Sequence, residues 1–123
     1  MSNNRKRIMI VDDERDFREM LNLMLRNKGF EIEFAEDGSI FLEKVDDFQP
    51  DLVILDVMMP GPTTVEILEK LKKKKSKPKI ILLTVVRFTP KKLDKLLEMD
   101  NIVDYIKKPF DIDAFLDSVK KHV

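Results

Sequence analysis

Short apolar runs alternate with helical patterns along the whole chain. Five segments have the length and pattern of strands: residues 8–11, 52–55 and 80–83 are continuous apolar runs, residues 30–34 alternate apolar with polar side chains like a strand with one exposed face, and residues 103–106 form the fifth. Apolar residues recur at helical spacing after each run: Phe17, Leu21 and Met24; Phe41, Leu42 and Val45; Val65, Leu68 and Leu71; Leu93, Leu96 and Leu97; Ala114, Phe115 and Val119. This alternation predicts an α/β protein, with a five-stranded parallel sheet, right-handed crossovers and helices on both faces.

Residues suited to turns and helix ends separate these segments. Gly29 suits the position just past the end of the first helix. Asp37 and Gly38 predict a turn after the second strand. Thr63, with Glu66 three residues later, resembles a capping box at the start of the third helix.

The chain length is that of one domain. Its 123 residues are predicted to form a single domain over residues 1–123, with residues 1–6 as a flexible N-terminal segment. Lys plus Arg and Asp plus Glu number 23 each, so no net charge favours nucleic acid or an acidic membrane. The lysine-rich run at 72–79 is predicted to be a solvated helix end and loop.

Several classes of site are excluded by residues that are rare in the chain. There is no cysteine, and the single histidine is His122, which excludes cysteine nucleophiles and disulfides and argues against multi-histidine zinc sites. No apolar run approaches the roughly 18 residues of a membrane span, and the polar start of the chain is not expected to be a signal peptide. A cytoplasmic location is therefore predicted.

Acidic residues follow two of the buried strands. Asp12 and Asp13 come after the first run, and Asp56 comes after the third. Functional groups gather beyond the carboxyl ends of parallel strands, so these three carboxylates are expected to converge. Crowded carboxylates either take up protons or hold a cation. Oxygen ligands alone favour Mg²⁺, which would offset their repulsion.

The remaining strand ends carry complementary groups. The fourth strand ends at Thr84, and the fifth leads into Lys107 and Lys108. A divalent ion and an ammonium would neutralise phosphoryl oxygens, and the hydroxyl would donate a hydrogen bond. One of the three acids would then be a nucleophile that forms an acyl phosphate.

The segments VDDE, LDVMMPG, LLT and DYIKKPF, in this order and at this spacing, resemble the receiver domain of two-component response regulators. The resemblance covers residues 7–121. It implies a flavodoxin-like (βα)5 fold with strand order 2-1-3-4-5. It also implies transfer of a phosphoryl group from a phosphohistidine on a sensor kinase to an aspartate, with Mg²⁺ required and Mn²⁺ as a substitute.

The resemblance assigns roles by position. Asp56 matches the phosphoacceptor, and Asp12 and Asp13 match the acidic pair that holds the metal, with Asp13 as the direct ligand. The backbone carbonyl of Met58 would be another metal ligand. Lys108 matches the lysine that pairs with the phosphoryl group, and the resemblance also implies a cis peptide bond between Lys108 and Pro109.

Thr84 and Tyr105 match the switch pair of the family. The Thr84 hydroxyl would move toward the phosphoryl group and Tyr105 would turn inward. This would reshape the face formed by the predicted fourth helix, the fifth strand and the last helix. The chain would assist its own phosphorylation and dephosphorylation without being an enzyme in its own right.

The implied partners are a sensor histidine kinase or phosphotransfer protein, and a downstream output protein or domain. The chain is expected to be a stand-alone receiver or part of a longer regulator. It is expected to be a monomer or a phosphorylation-dependent homodimer, and not to bind nucleic acid or membranes directly.

Three positions depart from the family pattern. Val85 stands where alanine or glycine is usual, and Thr64 replaces the glycine of a conserved loop motif; both bear on the rates of phosphorylation and hydrolysis. Asn101 replaces a glycine and is expected to tolerate left-handed geometry. Two alternatives stay open: a pseudo-receiver that only binds partners, and a phosphatase of the haloacid dehalogenase type. The latter needs a second acid where this chain has Met58.

Overall fold

The sheet has five parallel strands. A computed structural model describes residues 5–57, 63–84, 98, 101–108 and 110–123. The strands are β1 (Arg7–Val11), β2 (Glu31–Ala35), β3 (Leu52–Asp56), β4 (Lys79–Thr84) and β5 (Ile102–Lys107). Their order in the sheet is β2-β1-β3-β4-β5, and every adjacent pair is parallel. The fold and strand order that the sequence predicts are thus confirmed.

The described residues form four helices, which cover both faces of the sheet. They are α1 (Arg15–Arg26), α2 (Gly38–Phe48), α3 (Thr64–Leu71) and α4 (Ile112–His122). Side chains of α2 and α3 form one buried cluster with one face of the sheet, and side chains of α1 and α4 form a second cluster with the other. The predicted helix that includes Leu93 lies outside the described residues.

The apolar runs form the buried central strands of the sheet. Every residue of β3 is buried, as are residues 8–11 of β1 and 80–84 of β4. Both faces of these parallel strands are covered, so side chains on either face are buried. The strands are therefore continuous apolar runs in the sequence, without alternating polar residues. They form a rigid base for the groups at their carboxyl ends.

Capping side chains define the starts of α2 and α3. Asp37 accepts a hydrogen bond from the backbone N–H of Ile40, and Gly38 is the first residue of α2. The predicted turn at Asp37 and Gly38 is therefore wrong, because the pair begins a helix. The Thr63 hydroxyl accepts from the Glu66 N–H at 3.2 Å, and the Glu66 carboxylate accepts from the Thr63 N–H at 3.4 Å. This confirms the capping box of α3.

The lysine-rich run begins at Lys72, the C-cap of α3, and continues through the loop to the start of β4, and most of its lysines are exposed. Lys77 has a structural role that the sequence did not indicate, because its ammonium donates to the carbonyls of Leu71 and Lys72. These carbonyls lie at the C-terminus of α3, where a cation is favoured by the helix dipole. The loop is further held to α2 by the N–H of Ser76, which donates to Asp46 at 3.0 Å.

A β-bulge interrupts the pairing of β4 with β5. Ile80 pairs with Ile102, but Ile81 pairs with Asp104, so Val103 is the extra residue. Val103 packs against the α1 and α4 side of the sheet, whereas Tyr105 packs against the α2 and α3 side. The bulge therefore determines which face receives each side chain of β5 beyond it.

The carboxylate of Asp104 links β5 to α4. It accepts a hydrogen bond from the Ser118 hydroxyl, and Nε2 of His122 lies 4.0 Å from it. Its second oxygen accepts from the N–H of Tyr105 at 2.8 Å. The backbone of the predicted switch tyrosine is thus connected to the C-terminal helix through one carboxylate.

Asn101 does not use left-handed geometry. Among the described residues other than glycine, positive φ is found at Gln49, where φ is 53° at the C-cap of α2. The side chain of Asn101 instead donates to the carbonyl of Pro78 at 2.9 Å, and its own carbonyl accepts from the N–H of Ile80 at 2.7 Å. Asn101 therefore ties the start of β5 to the start of β4.

Candidate functional site

Four predicted residues lie at one edge of the sheet. Asp12 follows β1, Asp56 ends β3, Thr84 ends β4 and Lys108 follows β5. The strand register places them side by side, because Val11 pairs with Leu55, Asp56 with Leu83, and Thr84 with Lys107. Residues far apart in the sequence are thus brought together by the parallel topology.

Three carboxylates form a cluster at this edge. Oxygen atoms of Asp12, Asp13 and Asp56 all lie within 4.8 Å of one another. Asp12 is 0% exposed and Asp56 is 4% exposed, whereas Asp13 is exposed to solvent. The cluster is therefore closed at its base and open on the side of Asp13.

Asp12 is held by three hydrogen bonds, one with β2 and two with the start of α1. Its N–H donates to the carbonyl of Ala35 at 3.1 Å, and its carbonyl accepts from Nη1 of Arg18 at 2.7 Å. Its Oδ1 accepts from the N–H of Glu14 at 2.9 Å. Glu14 is the N-cap of α1 and makes no side-chain capping bond, so Asp12 also supports the start of that helix.

Lys108 connects two of the carboxylates. Its Nζ donates to Oδ2 of Asp12 at 3.0 Å and to Oδ2 of Asp56 at 3.4 Å. Its side chain is 14% exposed, and its N–H donates to the carbonyl of Thr84 at 2.7 Å. The ammonium is therefore positioned both by the backbone of the adjacent strand and by its two acidic partners.

Burial and charge oppose one another at these groups. Burial raises the pKa of Asp12, and the nearby Asp56 charge adds to the rise, while hydrogen bonds from Glu14 and Lys108 partly lower it. Burial alone would lower the pKa of Lys108, but its hydrogen bond and charge interaction with Asp12, together with Asp56, raise that pKa above its ordinary value. The site has three carboxylates and one ammonium, which contacts two of them, so the cluster still favours a cation.

The donor set fits Mg²⁺. An octahedral ion with ligands at about 2.1 Å holds neighbouring ligand atoms about 3 Å apart and opposite ones about 4.2 Å apart. The three carboxylates, whose oxygen atoms lie within 4.8 Å of one another, can meet these spacings after small side-chain movements. They are oxygen donors, which Mg²⁺ prefers. The predicted ligand at the carbonyl of Met58 lies outside the described residues.

The two predicted switch residues lie on neighbouring strands. Thr84 is 1% exposed at the end of β4. Tyr105 pairs with Leu82 and is partly buried against the cluster formed with α2 and α3. The structure thus brings Thr84 to the acidic edge and places Tyr105 further back along the same strand pair. Val85 and the bond from Lys108 to Pro109 lie outside the described residues.

Phe17 is a member of the site that the sequence did not predict. Its ring lies beneath the ammonium of Lys108, with Nζ 3.9 Å from the ring centroid. Helical spacing assigned Phe17 to the apolar stripe of α1, and no motif distinguishes it from the other core residues of that helix.

The sequence model of the response regulator receiver domain matches residues 8–120. The chain belongs to this family. This receiver is 37% identical over 111 residues to the DNA-binding response regulator MtrA of Mycolicibacterium smegmatis. The alignment covers 89% of this chain and 47% of MtrA. The chain therefore spans about half the length of the curated relatives it matches.

Solved receiver structures share the fold. The response regulator protein TrrA of Thermotoga maritima, crystallised in complex with Mg²⁺-BeF, is 39% identical with a TM-score of 0.80; the match covers 96% of this chain and 99% of TrrA. The chemotaxis response regulator CheY4 of Vibrio cholerae is 25% identical with a TM-score of 0.86, over 98% and 100% of the two chains. Within the described part of this receiver, no helix has the length and apolarity that crossing a membrane requires.

Proposed function

We propose that this receiver accepts a phosphoryl group on Asp56 from a phosphohistidine on a sensor kinase or phosphotransfer protein. The observation that carries the proposal is the position of Lys108. Its ammonium contacts both Asp12 and Asp56 beside a cluster of three carboxylates. A buried acid in contact with a cation, at the rim of a sheet, is the arrangement that a phosphoacceptor requires.

The transfer is a displacement at phosphorus. A carboxylate oxygen of Asp56 forms a bond to phosphorus while the bond from phosphorus to the imidazole nitrogen of the donor breaks, and the bonding electrons stay on that nitrogen. Mg²⁺, bound by Asp12, Asp13 and Asp56, would neutralise charge on the phosphoryl oxygens. Lys108 supplies a second positive charge at the same oxygens.

The surrounding side chains orient this chemistry. Asp12 and Asp56 are buried, so the carboxylates cannot swing away from the site. Asp13 is exposed and leaves an open side by which an ion and a phosphoryl donor can enter. The hydroxyl of Thr84 would donate a hydrogen bond to a phosphoryl oxygen, in keeping with its position at the end of the strand next to Asp56.

The same event would be transmitted to a binding surface. Movement of Thr84 toward the phosphoryl group would let Tyr105 turn inward, and β5 and α4 would change with it. The similarity to MtrA, a DNA-binding response regulator, supports an output function in a separate domain or protein. On this proposal the chain is a cytoplasmic signalling module and not an enzyme with a substrate of its own.

Acetyl phosphate provides the first test, because it supplies the phosphoryl group without a kinase. Wild-type protein with Mg²⁺ is expected to gain one phosphoryl group, measured by intact mass. The modification should be removed by hydroxylamine, which cleaves acyl phosphates, and should be absent when EDTA replaces Mg²⁺. Protein that stays unmodified with Mg²⁺ would favour the pseudo-receiver alternative.

Beryllofluoride, a mimic of the phosphoryl group, tests the switch. With Mg²⁺ it is expected to shift the amide signal of Tyr105 in an NMR spectrum, because the environment of the ring changes when Thr84 moves. The amide of Asp51, at the opposite edge of the sheet, serves as the control. Unchanged signals along β5 would remove Tyr105 from the mechanism and leave the phosphoacceptor in place.

A further inference from the structure

The face of the Phe17 ring lies against the ammonium of Lys108. Nζ is 3.9 Å from the ring centroid, well within the distance of about 6 Å at which an ammonium is attracted to the negative face of an aromatic ring. We infer that Phe17 is a positioning residue that holds Lys108 in the phosphoryl-accepting site. This inference rests on the proposed function, since the role of Phe17 is exerted through Lys108.

The contacts of the ammonium explain why the ring matters. Lys108 has three N–H donors, and Asp12 and Asp56 accept from it at 3.0 Å and 3.4 Å. With only 14% of its side chain exposed, Lys108 has little water to replace a lost contact. Cation–π attraction is strongest at such desolvated positions. The ring therefore offsets part of the cost of burying the charge.

The ring is itself fixed by its neighbours. Phe17 packs edge-on against Phe110, with centroids 6.0 Å apart and planes at 79°. Phe110 in turn packs on Phe115 at 5.0 Å, and Phe115 is fully buried in α4. Phe17, a residue of α1, is thus fixed against the segment that follows Lys108, and its ring offers the ammonium a stationary surface.

A ring face suits a group that has to move. When Asp56 is phosphorylated, the ammonium must turn from a carboxylate oxygen toward the phosphoryl oxygens. The attraction of a ring has no single acceptor atom, so Lys108 can make this turn without losing the contact. A carboxylate in place of Phe17 would retain the ammonium, and an aliphatic side chain would leave it unsupported.

The inference is tested with Phe17→Leu and Phe17→Tyr in the whole chain. Leucine keeps an apolar side chain and removes the ring, and tyrosine keeps the ring. We expect Phe17→Leu to lower beryllofluoride affinity and the rate of labelling by acetyl phosphate about tenfold, and Phe17→Tyr to stay within about twofold of wild type. Mg²⁺ affinity should be unchanged in both, because neither variant alters a carboxylate.

Fluorinated phenylalanines at position 17 separate charge attraction from packing. Fluorine barely changes the shape of the ring but weakens its negative face. The beryllofluoride affinity and the rate of labelling by acetyl phosphate should therefore both decrease stepwise with the number of fluorines. An independent readout is the NMR signal of the ε-CH₂ protons of Lys108, which the ring should shift upfield in the wild type and not in Phe17→Leu.

The possible outcomes are distinct. If Phe17→Leu and the fluorinated proteins are labelled as fast as the wild type, the role of Phe17 is overturned and the proposed function still stands. An ε-CH₂ signal at its ordinary position in the wild type overturns the contact itself. A shifted signal in a protein that cannot be phosphorylated refutes the proposed function, and the role of Phe17 with it.

Discussion

Asp56→Asn should abolish phosphorylation by acetyl phosphate. Asparagine has nearly the shape of aspartate, but its neutral amide oxygen is a poor nucleophile and cannot form an acyl phosphate. Asp56 is 4% exposed and accepts a hydrogen bond from Lys108, so the change removes one of the buried charges while the packing is kept. Intact mass should show no phosphoryl group on the variant under conditions that label the wild type fully.

Asp47→Asn is the matched control. Asp47 is an exposed residue of α2, and the same chemical change there should leave labelling at the wild-type level. Unfolding in urea should show that Asp56→Asn is at least as stable as the wild type without Mg²⁺, because a repulsive charge has been removed from the cluster. A phosphoryl group that still appears on a folded Asp56→Asn protein would show that the acceptor is a different residue.

Lys108→Met should impair both function and stability. Methionine keeps much of the apolar stem but removes the charge that, on the proposed mechanism, neutralises the phosphoryl oxygens, so labelling by acetyl phosphate should slow by about a hundredfold or more. The same change leaves Asp12 and Asp56 buried without their common cation. Breaking a buried pair in this way costs about 3 kcal/mol in unfolding free energy at neutral pH without Mg²⁺.

The loss of stability should depend on pH. Burial raises the pKa of Asp12 in the folded protein, and without the Lys108 interactions that lower it the rise becomes larger. A carboxyl group whose pKa is higher when folded stabilises the fold below its unfolded pKa of about 3.9, and this contribution is lost as the pH rises through the folded value. The difference between variant and wild type should thus be small at low pH and largest at neutral pH.

Lys107→Met is the control for this experiment. Lys107 is the neighbouring lysine, and it is exposed at the end of β5. Its replacement should change neither labelling nor the pH dependence of unfolding, which is measured in urea at a series of pH values. Equal effects of the two variants, or a difference that grows toward low pH, would contradict the assigned position of the Lys108 charge between two acids.

Much of the fold follows from periodicity. Buried parallel strands need apolar residues on both faces, so β1, β3 and β4 stand out in the sequence as unbroken runs. Their ends could be located to within a residue or two, and this was enough to predict that Asp12, Asp56 and Lys108 would meet. The parallel topology makes residues that are far apart along the chain neighbours at one edge of the sheet.

Other features depend on contacts that have no local signature. Asp37 and Gly38 are typical of a turn, but aspartate is equally typical of a helix N-cap, and in the structure Asp37 caps α2. Nothing in the lysine-rich run marks Lys77 as the residue that reaches back to the end of α3. Phe17 has the spacing of a core residue, and its contact with Lys108 arises only when α1 packs beside the end of β5.

The extra residue in β5 makes the length of this segment matter as much as its composition. Removing Val103 would keep the strand largely apolar. The side chains before and after the deletion could not then all remain on their present faces of the sheet. Homologous chains that keep both tyrosine and lysine in register should therefore vary in sequence here more readily than in residue count. An insertion or deletion in this short stretch would change which residues of β4 lie opposite Tyr105 and Lys107, and would therefore move the Tyr105 and Lys108 side chains relative to Thr84.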